Sequence, residues 1–65
     1  MQIIVNGDSL ETQATNLTDL LEELDLLGVR IAVELNRQII PKSQHPDTSL
    51  SHGDKIEIVH AIGGG

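Results

Sequence analysis

Groups that could do chemistry are sparse in this chain, and the strongest candidate is not a side chain. The residues His60-Ala61-Ile62-Gly63-Gly64-Gly65 run out of an apolar stretch into three glycines and a terminal carboxylate. Glycine has no side chain to pack and accepts almost any backbone angle, so such a tail can enter a channel that any Cβ would block. The carboxylate at its tip is ionised near neutral pH. This is the expected pattern of a thin arm that delivers a carboxylate, and Gly65 is the expected site of modification.

The side chains offer less. His45, His52 and His60 lack the spacing of a metal site. The glycines precede no helix and form no phosphate-binding loop. Asp47, Ser49 and His52 contain the residue types of a hydrolytic triad, but a small loop offers neither an oxyanion hole nor a pocket. No catalytic residues, bound cofactor or metal are expected, and the chain is read as something other than an enzyme.

A tail needs a body to hold it. Sixty-five residues make one domain, without cysteine and without aromatic residues. A core must therefore come from Leu, Ile and Val, and a chain this small buries only ~60% of its extended surface. The expected division is a domain over residues 1–61 and a glycine tail over 62–65. Ten acidic against four basic residues give a formal charge of −6. That disfavours nucleic acid and anionic membranes, whose binding rests on cationic residues. It favours a protein partner with a basic docking surface. No apolar run approaches the length of a membrane span, and the N-terminus lacks signal-peptide features. The expected location is the cytoplasm, and the free chain is expected to be a monomer.

The period of the pattern places the elements. Met1 to Asn6 is strand-like, and Asn6-Gly7 is a hairpin signal because its turn needs positive φ. Ser9 to Gln13 is expected as the returning strand, with Leu10 inward. Leu17, Leu20, Leu21, Leu24 and Leu27 fall at helical spacing. Asn16 can cap that helix, Asp19 lies in its first turn, and Gly28 is expected to close it after about ten residues. Arg30 to Asn36 is again strand-like, with Ile31, Val33 and Leu35 on one face. Ile39-Ile40 is a short strand ended by Pro41. Residues 42–54 show little periodicity and are read as an ordered crossing loop anchored by Leu50. Lys55 to Ala61 is the final strand. The predicted class is α+β: a small sheet of four to five strands with one helix across one face.

These residues also carry a resemblance. Val5-Asn6-Gly7, the block Val33-Glu34-Leu35-Asn36 with Ile39-Ile40-Pro41-Lys42-Ser43, Thr48-x-Leu50, the Gly53-to-Ala61 strand and the Gly63-Gly64-Gly65 end are similar to the bacterial thiamine-biosynthesis sulfur carriers. Those are ubiquitin-like β-grasp proteins, and nearly the whole chain is covered. His45 stands where the family has an aromatic residue, and Arg37 where it often has glycine.

The resemblance implies a mixed sheet with the final strand between the first and third. Ile3, Val5, Ile31, Val33, Ile56 and Ile58 would then face the helix. Ile4, Ala32 and Val59 would form an apolar patch on the open face at the root of the tail, ringed by Gln2, Glu34 and Glu57. Together with Ile62, Gly63, Gly64 and Gly65 they are the expected partner-binding residues. The implied partners are a ThiF-like adenylating enzyme using ATP and Mg, a persulfide sulfur donor, and thiazole synthase. The implied product is a Gly65 thiocarboxylate. A sulfur carrier for another pathway such as molybdopterin, a ubiquitin-like modifier, and a plain β-grasp interaction module whose glycine tail is inert remain open.

Overall fold

The computed structural model describes residues 1–60. Two hairpins, one α-helix, a 3₁₀ helix and a final strand build it. β1 (Gln2–Val5) and β2 (Asp8–Glu11) pair antiparallel. They are joined by Asn6 and Gly7 at φ 50° and 87°, the left-handed pair that a two-residue hairpin requires. β3 (Ile31–Leu35) and β4 (Gln38–Ile39) repeat the device. Here Asn36 and Arg37 occupy the turn at φ 50° and 72°. β5 (Lys55–His60) runs parallel to β1 and antiparallel to β3, giving the sheet order β2-β1-β5-β3-β4. The strand that leads into the tail is thus the central strand, as the resemblance implied.

α1 (Leu17–Glu23) crosses one face of this sheet. Asn16 caps it by accepting a 2.8 Å hydrogen bond from the Asp19 N–H. Leu17, Leu20 and Leu21 are buried against Ile3, Val33, Ile56 and Ile58. Val5, Leu10, Ile31 and Leu35 pack at the margin of that core, half-buried. The faces of the three central strands therefore fall as the alternation predicted.

The helix is shorter than the leucine spacing predicted. It ends at Leu24, and Gly28 does not close it. Asp25 takes the left-handed position at φ 61°. The Asp25 N–H donates to the Glu22 carbonyl at 3.0 Å and the Leu26 N–H to the Leu21 carbonyl at 2.7 Å. These are the paired bonds of a Schellman ending. That ending folds Leu26 back onto the core and leaves Leu27 51% exposed. A second difference lies in the crossing loop. Lys42–Asp47 forms a 3₁₀ helix against α1. Its aperiodic sequence concealed this, because a 3₁₀ turn buries only one residue per turn. Here that residue is His45, whose Nε2 lies 3.0 Å from the Ile40 carbonyl. His45 is thus a loop-packing residue. Leu50 is buried as expected. No helix among the described residues is long and apolar enough to cross a membrane.

Candidate functional site

The site is assembled around β5. Its inward side chains, Ile56 and Ile58, are locked in the core. Its outward side chains, Lys55, Glu57 and Val59, stand on the face that α1 leaves uncovered. Val59 is 57% exposed and lies directly opposite Ala32 on β3. One step back along the strands, Glu57 lies opposite Glu34, and Glu34 in turn lies opposite Ile39 of β4. Ile39 is 72% exposed. The open face therefore carries two adjacent cross-strand rows: an apolar Ala32–Val59 row nearest the end of β5, and an Ile39–Glu34–Glu57 row behind it.

Of the expected patch residues, the register brings Ala32 and Val59 together and separates Ile4 from them. Ile4 pairs with Lys55, at the start of β5, and not with its end. Four residues of strand place it about 13 Å from Val59. The faces were assigned by alternation, which says nothing about how far a parallel neighbour is shifted along the sheet. Ile39, by contrast, joins the open face through a hairpin register that its short strand fragment did not reveal. Ile62, Gly63, Gly64 and Gly65, and with them the expected carboxylate, lie outside the described residues, as does Ala61.

Two asparagines hold β5 in place; the sequence pattern gave Asn6 a turn and Asn36 the end of a strand. Asn36 accepts from the Lys55 N–H at 3.0 Å through Oδ1 and donates through its own N–H to the Lys55 carbonyl at 2.8 Å. Its Nδ2 donates to Asp54 at 3.1 Å. Asn6 reaches the other side of the strand, where its Oδ1 accepts from the Ile58 N–H at 2.8 Å and its Nδ2 donates to the Ile58 carbonyl at 3.1 Å. The signal that could have found them is that both sit in left-handed turns flanking the central strand.

The three histidines occupy separate places: His45 is buried beside α1, His52 accepts from the Gln2 N–H at 3.1 Å through Nδ1, and His60 ends β5 in solvent. Among the described residues one ion pair forms, between the N-terminal ammonium and Glu11 at 2.7 Å. That hydrogen bond, with the ammonium's charge, holds the Glu11 carboxyl below its ordinary range. Among the described residues neither Glu34 nor Glu57 is in an ion pair, so beside its apolar row the open face sets these two carboxylates against the single Lys55.

A five-stranded mixed sheet with its last strand in the middle and one helix across one face defines the ubiquitin-like β-grasp class. The sequence model of the ThiS family matches residues 2–65, and the chain belongs to that family. It is 33% identical over 66 residues to the sulfur carrier protein ThiS of Escherichia coli, with the full length of both chains covered. The crystal structure of the thiamine biosynthesis protein ThiS from Geobacter metallireducens superposes with a TM-score of 0.87 at 29% identity, again over both whole chains. The chain is also 39% identical over 66 residues to a thiazole synthase of Paramagnetospirillum magneticum, but it spans only 20% of that protein's length. The same holds for a second thiazole synthase, from Magnetococcus marinus, at 36% identity and 20% of the length.

Proposed function

We propose that this chain is a sulfur carrier of thiamine biosynthesis, with the Gly65 carboxylate as its working group. A free carboxylate is a poor acyl donor. An adenylating enzyme of the ThiF type would use MgATP to make the Gly65 acyl-adenylate, releasing pyrophosphate. The terminal sulfur of a persulfide would then attack the acyl carbon and expel AMP. Cleavage of the resulting S–S bond by a thiolate leaves a thiocarboxylate on Gly65 and a disulfide on the donor side. Thiazole synthase would consume that sulfur and return the carboxylate. The ATP-dependent step belongs in the cytoplasm.

The observation that carries this reading is the placing of β5. The central strand, fixed on both sides, bears an exposed Val59–Ala32 row and is followed in sequence, after Ala61, by Ile62-Gly63-Gly64-Gly65. Body and tail are then one delivery device: the open face docks and the glycines reach. Ordering three glycines in a channel costs backbone entropy, on the order of 1–2 kcal/mol per residue. Docking through the Ala32–Val59 and Ile39–Glu34–Glu57 rows would offset it. Two longer proteins named thiazole synthase contain a segment similar to the entire chain. A carrier joined to its consumer in one polypeptide supports thiazole synthase as the partner here, and favours the thiamine pathway over a molybdopterin or protein-modifier role.

ATP–pyrophosphate exchange tests the proposal, with the adenylating enzyme, the intact chain and a chain lacking Gly64 and Gly65. The intact chain is expected to stimulate exchange and the truncated one to fail while melting at the same temperature. Equal stimulation by both would overturn the role of Gly65.

A further inference from the structure

We infer that Asn6 is a positioning residue for the tail: its carboxamide takes the place of a missing stretch of β1 and holds the end of β5 in line. The inference rests on the carrier reading above. The backbone pattern shows why such a hold is needed. The Asn36 N–H donates to the Lys55 carbonyl, so that pair is of the hydrogen-bonded kind. Antiparallel alternation then directs the peptide groups of Glu57 and Val59 toward β3 and those of Ile58 toward β1. But β1 has already turned away. Its last pair with β5 is Val5 with Ile56, and the Asn6 N–H makes the last ladder bond, to the Ile56 carbonyl at 2.9 Å. No β1 backbone remains to meet Ile58.

The Asn6 side chain meets it instead. The Asn carboxamide sets a carbonyl acceptor beside an NH2 that can donate, so one edge of it can serve an N–H and a C=O together. Asn6 uses both, at 2.8 and 3.1 Å, on the N–H and C=O of a residue 52 positions away. The parallel ladder is thereby extended by one peptide without any further strand. The hairpin does not demand this. Its left-handed position at φ 50° would accept glycine at least as readily, and glycine would leave Ile58 unpaired on that side. The bond lies one residue before Val59 on the docking row and two before His60, the last described residue of the strand. Asn36 performs the matching task at Lys55, the opposite end of β5. A body that must aim seven residues beyond Ile58 gains most from rigidity at the nearer point.

The test uses Asn6→Gly, which relieves the turn and removes only the carboxamide, with Arg37→Gly, which relieves a left-handed position in the other hairpin turn, as the control. In 15N-labelled protein the Ile58 amide should exchange roughly five- to tenfold faster in Asn6→Gly, while the Leu20 amide slows or quickens only with global stability. In ATP–pyrophosphate exchange with the adenylating enzyme, Asn6→Gly should lower kcat by roughly threefold or more at unchanged KM, because the body still docks while the tail enters unproductively. Arg37→Gly should keep native kcat. Native exchange at Ile58, or a raised KM at native kcat, would reduce Asn6 to a turn residue and overturn the inference. Failure of the wild-type chain to stimulate exchange would instead strike the carrier reading, and the Ile58 amide would still decide whether Asn6 holds the strand.

Discussion

Glu34 and Glu57 stand directly opposite each other across β3 and β5 on the open face of the sheet. Like charges in that relationship destabilise a sheet, whereas opposite charges contribute roughly 0.2–1 kcal/mol per pair. A fold selected only for stability would not keep the pair. A face that meets a basic partner would. Glu57→Lys should therefore raise stability, by about 0.5 kcal/mol on that scale, and weaken binding to the adenylating enzyme. A urea denaturation series and titration calorimetry measure the two effects. Stabilisation with undiminished affinity would separate the acidic pair from the interface.

Val59 and Ile4 divide the open face into a part that should matter and a part that should not. Val59→Asp introduces a charge at a site 57% exposed, so the melting temperature should hold. Binding to the same enzyme should weaken by at least about 1 kcal/mol, the scale of a meaningful interface residue. Ile4→Thr keeps the β-branched shape at a position paired with Lys55, far from the tail, and should leave affinity unaltered. Equal losses from both would show an interface that covers the whole sheet.

The helix ending makes a sharp stability contrast between two leucines of the same stripe. Leu20 is fully buried, so Leu20→Ala should cost about 2–5 kcal/mol. For so small a domain that threatens the fold itself. Leu27 lies beyond the Schellman turn and is exposed, so Leu27→Ala should stay within about 0.5 kcal/mol. Chemical denaturation of both variants checks it, and similar losses would restore the longer helix.

Glu11 supplies a pH dependence at the opposite edge of the sheet. Hydrogen bonding from the Met1 ammonium, and then its charge, lower the Glu11 carboxyl in the folded chain. A carboxyl lowered on folding contributes stability above its unfolded pKa and loses it as pH falls through the folded value. The contribution is therefore present at neutral pH and disappears only on strong acidification. Carbon-detected titration of Glu11 should show a depressed midpoint, and acetylating the N-terminus should return it to the ordinary range. An unmoved midpoint after acetylation would remove the ammonium as the cause.

Legibility followed the range of the interactions. The inward residues of β1, β3 and β5, the Asn16 cap and the Asn6-Gly7 turn are set by neighbours in sequence, and each is as the pattern implied. The helix end was misplaced because Gly28 is a strong stop signal, whereas Asp25 pays for its left-handed angle and wins by letting Leu26 bond Leu21 and cover the core. The 3₁₀ helix around His45 depends on contact with α1 and left no period to read. The open face was legible as a face, but not as a site. The position of Ile4 needed the β1–β5 register, and the second duties of Asn6 and Asn36 needed partners brought close by folding. Arg37, at φ 72° where the resembling family often has glycine, sits in the second hairpin turn. Nothing in the structure explains the arginine there.

The central claim is that Gly65 carries sulfur, and intact mass spectrometry of the full chain addresses it most directly. The chain is incubated with MgATP, the adenylating enzyme, a persulfide donor and a thiol, beside a control without ATP. The account predicts a gain equal to the exchange of one oxygen for one sulfur, present only with ATP. Fragmentation should place that gain on Gly65, and it should disappear when thiazole synthase and its substrates are added. An unchanged mass in the complete mixture, with the enzyme shown to be active on another carrier, would contradict it.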